Sequence, residues 1–187
     1  MSNENLAKEI YDACHLEGNF LLRSGAISKE YFDKYLFESQ PGLLMKIAKA
    51  LIPLIPPETE ILAGLELGGV PLAVILSQLT NLPTAFVRKE AKAYGTKKIA
   101  EGIEIDGAKV LLVEDVVTSG GQLILSASDL RSIGADLTNA VCVIDREAGG
   151  VENLSAENIQ LEALFSMSLL KHQSSQGRSC RNTSKTR

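Results

Sequence analysis

One stretch of the chain places a pair of carboxylates directly before a loop of hydroxyl-bearing residues and glycines. Glu114 and Asp115 follow the apolar run 110–113, which predicts a strand buried on both faces. The small residues of 118–121 come next, and apolar residues then recur at helical spacing over 123–133. The expected order is therefore a buried strand, the acidic pair, a small-residue loop and the start of a helix.

This order is typical of a site that binds a phosphate. The first N–H groups of a helix have no partner inside the helix, and the helix dipole favours an anion there. Gly120 and Gly121 let the main chain approach a ligand closely, and the hydroxyls of Thr118 and Ser119 can add hydrogen bonds. The acidic pair would then face the hydroxyls of a ribose or a cationic transition state. A buried strand followed by an ordinary turn is the simpler alternative.

Length and composition indicate one soluble domain. The 187 residues are enough to bury a sizeable core, and 45% hydrophobic with 22% charged residues is ordinary for a globular protein. The formal net charge of −4 provides no basic field that would indicate a nucleic-acid partner. The sequence shows no leader and no long uncharged apolar run, so we expect a cytoplasmic protein without a membrane partner.

Cysteine and histidine do not indicate a metal site. Cys14, Cys142 and Cys180 are widely separated, which predicts neither a disulfide framework nor a zinc site. Cys142 lies within an apolar run and is expected to be a core thiol. His15 and His172 have no acidic or cysteine partner at ligand spacing, so both are expected at the surface.

Strands alternate with helices along the chain, which predicts an α/β domain with a central, mostly parallel sheet flanked by helices. An N-terminal helix is expected to end at Gly18. Two short strands within about 18–40 would follow it and form a small hood beside the sheet. Residues 1–172 are expected to form a single domain, and the basic segment 173–187 to be a disordered tail.

Two further segments bring small or charged residues to strand ends. The glycine pair 68–69 follows the predicted strand 60–64 and precedes Pro71, so it offers a second, weaker indication of a phosphate contact. The segment 88–98 follows another strand and is rich in Lys and Arg. It is either a solvated run of charge or a mobile loop that brings cations to a polyanion, and its position at a strand end favours the loop.

Arg146 follows the predicted buried strand 137–144. A guanidinium group in this place can hold a carboxylate ligand through two parallel hydrogen bonds. The alternative is a salt bridge with one of its neighbours, Asp145 or Glu147.

Residues 110–121 closely resemble the phosphoribosyl pyrophosphate (PRPP) motif of the type I phosphoribosyltransferases, and the resemblance to the orotate-specific family covers about residues 5–171. It is carried by that motif with the runs 22–25 (Leu-Arg-Ser-Gly), 31–33 (Tyr-Phe-Asp), 64–71 (Gly-Leu-Glu-Leu-Gly-Gly-Val-Pro), 88–92 (Arg-Lys-Glu-Ala-Lys) and 145–147 (Asp-Arg-Glu). The resemblance implies a type I phosphoribosyltransferase fold. It also implies the Mg²⁺-dependent conversion of orotate and PRPP to orotidine 5′-monophosphate and pyrophosphate, in de novo pyrimidine biosynthesis.

The resemblance assigns roles to residues of this chain. The PRPP-binding set comprises Arg23, Leu67, Gly68, Gly69, Arg88, Lys89, Lys92, Tyr94, Glu114, Asp115, Val116, Val117, Thr118, Ser119, Gly120, Gly121 and Gln122. The orotate-binding set comprises Tyr31, Phe32, Thr118 and Arg146, and the catalytic set comprises Lys92, Glu114 and Asp115. Mg²⁺ would be held mainly by PRPP, with no protein ligand assigned.

Three of these positions depart from the usual family residues. Arg23 stands where the family usually has a Lys, and Tyr94 stands where relatives often have a His. Gly68 stands where many relatives have a Lys, so the contact there would be made by the backbone. The resemblance also implies a homodimer, because each site borrows the 88–98 loop of the partner.

Two other functions are compatible with the same PRPP motif. A purine phosphoribosyltransferase would share the phosphate loop, but Arg146 suits a base that bears a carboxylate, which purines lack. A non-catalytic regulator could bind PRPP through the same fold, but it would not need the cations of 88–98 to stabilise a leaving group.

Overall fold

The computed structural model describes residues 3–21, 25–90 and 98–179, with the backbone alone from 174 onward. Arg23, Lys92 and Tyr94, and most of the predicted 88–98 loop, lie outside the described residues.

The described chain contains seven α-helices, eight strands and one 3-10 turn at Ile52–Leu54. In chain order, the elements are α1 (Asn3–Cys14), β1 (His15–Leu21), β2 (Ile27–Phe32), α2 (Tyr35–Glu38), α3 (Pro41–Leu51), β3 (Ile61–Leu65), α4 (Gly69–Thr80), β4 (Thr84–Val87), β5 (Ala100–Glu101), β6 (Lys109–Val117), α5 (Gly121–Ser132), β7 (Asp136–Asp145), α6 (Gly150–Ala156), β8 (Gln160–Ser166) and α7 (Met167–Ser179).

The main sheet has six strands in the order β5-β4-β3-β6-β7-β8, and the short edge strand β5 is its antiparallel member. This arrangement confirms the predicted mostly parallel sheet. β6 lies between β3 and β7, where Val113 pairs with Gly64 and Val117 pairs with Asp145. Because the carboxyl ends of parallel strands meet at one edge of the sheet, the loops after β3, β6 and β7 lie beside one another.

Helices cover both faces of this sheet, as the uninterrupted apolar run in β6 predicted. Leu111 and Val113 belong to a core cluster that includes residues of α1, α3 and α4. Val110 and Leu112 point to the opposite face and pack with residues of α5. The alternation of side chains along a strand therefore gives each face its own apolar core.

The hood is a separate antiparallel pair formed by β1 and β2, as predicted, but its boundaries differ. α1 ends at Cys14 and not at Gly18, because β1 begins at His15. The second strand ends at Phe32, since Asp33 starts a helical turn: its carboxylate accepts a hydrogen bond from the N–H of Tyr35 at 3.1 Å.

Three further differences concern element boundaries. β6 continues through the acidic pair to Val117, because its pairing with β7 extends that far. The short helix α6 was not predicted from the sequence. The predicted tail 173–187 overlaps α7, whose backbone continues to Ser179, and residues 180–187 lie outside the described residues, so its disorder stays a prediction.

No helix among the described residues is long and apolar enough to cross a membrane.

Candidate active site

The acidic pair at the end of β6 divides between the two faces of the strand. Glu114 lines a cavity at the carboxyl edge of the sheet, whereas Asp115 has no exposed surface. The Nζ of Lys34, in the turn before α2, lies 2.5 Å from the Oδ2 of Asp115. The buried carboxylate is therefore held by an ammonium group from the segment that follows the hood.

The cavity above the acidic pair has a volume of about 410 Å³. Its lining consists of Lys34, Tyr35, Glu66, Leu67, Lys89, Glu114, Val116, Val117, Thr118, Ser119, Gly120, Gly121, Gln122 and Leu123. The backbone N–H groups at the start of α5 are thus part of its wall, next to the exposed hydroxyl residues Thr118 and Ser119. This is the arrangement expected for an anion-binding loop.

Gly120 is required by the shape of this loop. Its φ of 78° lies in the left-handed region, where side chains are strained. A Cβ at this position would also lie 3.0 Å from the Cγ of Leu154 in α6. The loop therefore packs tightly against α6, and the Nδ2 of Asn153 donates a hydrogen bond to the carbonyl of Ser119 at 3.0 Å.

The turn after β3 forms another wall of the site. Leu67 lines the cavity, but Gly68 and Gly69 are buried and do not line it. A Cβ at Gly68 would lie 1.8 Å from the Oδ2 of Asp115, and a Cβ at Gly69 would lie 2.1 Å from the carbonyl oxygen of Val113. Both glycines therefore allow the turn to pack directly on the end of β6. The peptide bond between Glu66 and Leu67 is cis.

The carboxyl groups of Glu38, Glu114 and Asp115 lie close to the ammonium group of Lys34 at the base of this cavity. Burial, followed by hydrogen bonding to Asp115, raises the pKa of Glu38 to about 8. Burial also raises the pKa of Glu114 well above its ordinary value. Burial alone would raise the pKa of Asp115 too, but hydrogen bonds with Glu114, Glu38 and Lys34 lower it. The arrangement favours an ionised Asp115 beside a protonated Glu38 near neutral pH.

The titration of Glu38 predicts a specific dependence of stability on pH. Its folded-state pKa is raised above the ordinary value of 4.5, so its stabilising contribution is full below that value and is lost as the pH rises through about 8. Asp115, Lys34 and Asp33 are the charged groups that act on it. Glu38→Gln keeps a donor toward Asp115 but cannot ionise. As the pH rises from about 5 to about 9, the free energy of unfolding of the wild type should therefore fall relative to that of this variant.

Urea unfolding at a series of pH values checks this expectation. The pKa of Glu114 is also raised, so the free energy of unfolding of the variant should still decline with rising pH, but by less than that of the wild type. Wild-type and variant curves that stay parallel across the range would show that Glu38 carries no such proton.

A second cavity, of about 320 Å³, lies between the hood and the end of β7. Its lining consists of Tyr11, His15, Ser28, Glu30, Tyr31, Phe32, Arg146, Met167 and Lys171. Aromatic rings and cationic groups together suit a flat, anionic ligand. The main-chain N–H of Arg146 donates to the carbonyl of Val117 at 2.8 Å, which fixes this residue beside the end of β6.

The position of His15 corrects the expectation that it lies at the surface. Its side chain is 11% exposed, and its Nε2 lies 3.0 Å from the Oε2 of Glu30. Its ring stacks on Tyr11 with centroids 4.8 Å apart. The contact between His15 and Glu30 was missed because it joins two strands of the hood, which sequence spacing alone does not reveal. Cys142, in contrast, is fully buried as predicted, and burial raises the pKa of its thiol.

The structure brings together many of the predicted site residues, but not all of them. The first cavity collects Leu67, Lys89, Glu114, Val116, Val117, Thr118, Ser119, Gly120, Gly121 and Gln122, and the second collects Tyr31, Phe32 and Arg146. Thr118, predicted to contact both ligands, lines the first cavity.

Some predicted residues lie elsewhere. Asp115, Gly68 and Gly69 lie beneath the first cavity and do not line it. Arg88 is absent from both linings, and its Nε lies 3.8 Å from the Oε1 of Glu101 on the edge strand β5. For Arg146, none of the ion pairs among the described residues involves Asp145 or Glu147, so the structure does not support the salt-bridge alternative.

The chain is similar to known proteins over most of its length. A family model described as the phosphoribosyl transferase domain matches residues 37–160. An orotate phosphoribosyltransferase of a Nocardioides species is 46% identical over 160 residues, which cover 86% of this chain and 89% of the relative. The one from Methanocella arvoryzae is 42% identical over 153 residues, which cover 82% and 87%. The crystal structure of orotate phosphoribosyltransferase from Aeropyrum pernix matches with a TM-score of 0.80 and 27% identity, over 92% of this chain and 99% of that one.

The sheet, the loop at the start of α5 and the domain match define a phosphoribosyltransferase. The two relatives at 46% and 42% identity are both orotate phosphoribosyltransferases, which indicates the base specificity within this class. The chain belongs to the orotate phosphoribosyltransferase family, which acts in pyrimidine biosynthesis. These similarities confirm the predicted fold and function, in preference to the purine-specific alternative.

Proposed function

We propose that the chain transfers the 5-phosphoribosyl group of PRPP to orotate in a Mg²⁺-dependent reaction that releases pyrophosphate. One observation supports this proposal: the main-chain N–H of Arg146, which lines the second cavity, donates a hydrogen bond to the carbonyl of Val117, which lines the first. An anion-binding loop and an aromatic, cationic pocket are thereby placed side by side. This is the geometry needed to bring a sugar phosphate and an anionic base together.

In this proposal, the first cavity binds PRPP. The N–H groups of 118–122 hold its 5′-phosphate, and Glu114 accepts hydrogen bonds from the ribose hydroxyls. The diphosphate extends toward Leu67 and Lys89 on the other wall of the cavity. Arg23, Arg88, Lys92 and Tyr94 are assigned to PRPP by resemblance alone, since three of them lie outside the described residues and Arg88 faces Glu101.

The second cavity would bind orotate. Tyr31 and Phe32 would contact the ring, and the guanidinium of Arg146 would hold the carboxylate. The base nitrogen bonds to the anomeric carbon of the ribose as the bond from that carbon to the diphosphate oxygen breaks. The sugar ring becomes positively charged in between. In this proposal, Glu114 in the cavity lining stabilises that charge, with Asp115 beneath it. No side-chain nucleophile is required.

Magnesium fits this scheme as an ion carried by the substrate. The described residues contain no group of three or more His, Cys, Asp or Glu side chains placed to hold a metal. Because Mg²⁺ prefers oxygen ligands, the diphosphate and ribose of PRPP would supply most of them in this proposal. When bound, Mg²⁺ neutralises charge on the leaving pyrophosphate.

We further propose a homodimer that shares the 88–98 segment between subunits, and a cytoplasmic location in which orotate and PRPP are the partners. Sedimentation of the full chain, and complementation between subunits that each lack a different site residue, would test the shared site. Activity in mixed dimers of two inactive variants is the expected result.

The reaction is tested by the loss of orotate absorbance after addition of PRPP and Mg²⁺. We expect turnover that stops when a chelator removes the metal. Adenine and guanine are the control bases, and turnover of either one in place of orotate would contradict the proposal. Binding of PRPP without turnover of any base would indicate a regulator.

Arg146→Ala is expected to raise the KM for orotate about tenfold or more, because it removes a charge-assisted hydrogen-bonding group from the base cavity. The KM for PRPP should stay close to its wild-type value. Arg146→Lys should also have a raised KM for orotate, close to that of Arg146→Ala, since an ammonium group cannot form two parallel hydrogen bonds with a carboxylate. Steady-state kinetics with each substrate varied in turn measures both constants. An unchanged KM for orotate would refute the assignment of the base cavity.

A further inference from the structure

Lys34 joins the buried carboxylate to the open cavity. Its Nζ contacts the Oδ2 of Asp115, yet its own side chain is 33% exposed and lines the first cavity. Asp115 has no exposed surface. Lys34 therefore lies on the cavity side of Asp115 and covers it.

The contact leaves Asp115 with a second potential partner. A Cβ at Gly68 would lie within 2.8 Å of the Oε1 of Glu38 as well as within 1.8 Å of the Oδ2 of Asp115, so both oxygens face the same small space. Apart from the hydrogen bond that a protonated Glu38 makes with Asp115, the Oε1 of Glu38 has no partner among the described groups, whereas the Oδ2 of Asp115 also contacts the Nζ of Lys34. A protonated Glu38 can thus hold Asp115 when the ammonium group is elsewhere.

A diphosphate in the first cavity would need positive charge, and the described lining has only two cationic side chains. Lys34 and Lys89 are its cations, and Glu66 and Glu114 are its acids. A diphosphate ester placed there would face a wall with as many acidic as basic side chains. A lysine has a flexible stem and a compact charge, so its ammonium group can turn from one oxygen ligand to another.

We propose that Lys34 is a PRPP-binding residue, which exchanges its contact with Asp115 for one with the diphosphate when PRPP enters the first cavity. This inference rests on the proposed function, because it concerns how the same site takes its substrate. It assigns to the segment after the hood a substrate contact that the sequence did not indicate. In this role Lys34 also prevents an uncompensated Asp115 from repelling the arriving polyanion.

The test compares Lys34→Met with Lys34→Arg in the full chain. We expect Lys34→Met to raise the KM for PRPP about tenfold, with less than about a twofold change in the KM for orotate. Lys34→Arg keeps the charge and should recover most of the loss. Lys46→Met is the matched control, because the Nζ of Lys46 also pairs with a carboxylate, Glu9, at 2.7 Å, but on α3 away from the cavity.

Two binding probes separate a diphosphate contact from a purely structural role. Titration with Mg²⁺ and inorganic pyrophosphate should show about tenfold weaker binding to Lys34→Met, whereas ribose 5-phosphate should bind at least as well as it binds the wild type. Equal loss for both probes would overturn the proposal and make Lys34 a support for Asp115. No loss for either probe would also overturn it. A wild-type chain that fails to convert orotate and PRPP would contradict the proposed function instead.

Discussion

Gly68→Ala is expected to lower kcat/KM about 100-fold or more. The added Cβ would lie 1.8 Å from the Oδ2 of Asp115, a distance that no real contact allows. Asp115 is fully buried and cannot turn away into solvent, so the acidic pair or the turn after β3 must shift. Displacement of a reacting geometry by about 1 Å costs about 100-fold in rate, and crowding a packed interior costs about 1–3 kcal/mol of stability.

Gly42→Ala is the matched control for this substitution. Gly42 lies in the first turn of α3, and a Cβ there meets nothing within 4 Å. Alanine is the better helix former, so this variant should keep full activity and unfold at the same or a slightly higher temperature. Thermal unfolding and steady-state kinetics measure both effects. Wild-type kcat/KM in Gly68→Ala would mean that the position of Asp115 does not matter for catalysis.

Lys92→Ala is expected to reduce kcat about 100-fold while the thermal unfolding temperature stays unchanged. Lys92 lies outside the described residues, so this expectation comes from the resemblance and from the chemistry of the leaving group. Pyrophosphate departs with negative charge that increases toward the transition state, and a cation placed near it acts on kcat more than on ground-state binding.

Lys98→Ala provides the comparison for Lys92→Ala. Lys98 belongs to the same basic segment, but its side chain is 55% exposed and its Nζ lies 3.9 Å from the Oε2 of Glu104. Exposed pairs of this kind contribute little, so we expect near wild-type kinetics. Single-turnover measurements with both variants separate chemistry from product release. Equal kcat values for Lys92→Ala and the wild type would remove this residue from the mechanism.

The part of the site that could be predicted from the sequence is the part built from consecutive residues. The run 110–121 encodes its own strand, loop and helix start, because apolar patterning and glycine positions act locally. The structure places these elements as expected, apart from the extension of β6 through Glu114 and Asp115. That extension depends on pairing with β7, which a local pattern does not contain.

The contacts that the sequence did not indicate join residues from distant segments. Lys34 reaches Asp115 because the turn after the hood packs over the end of β6, and nothing near Lys34 in the sequence marks it as a partner. The sequence also did not indicate that Glu38, an acidic residue of a short helix, lies beside Asp115. A buried ion pair of this kind is a property of the assembled fold and not of any single motif.

The composition of the second cavity has a consequence for the order in which this protein is made. Tyr11 and His15 come from the start of the chain, whereas Lys171 belongs to α7, which packs against α1. On a ribosome, the strand β6 and the loop proposed to bind the sugar phosphate emerge before α7 does. A nascent chain can therefore form this strand and loop first, but the second cavity, proposed to bind the base, is complete only after α7 has been translated.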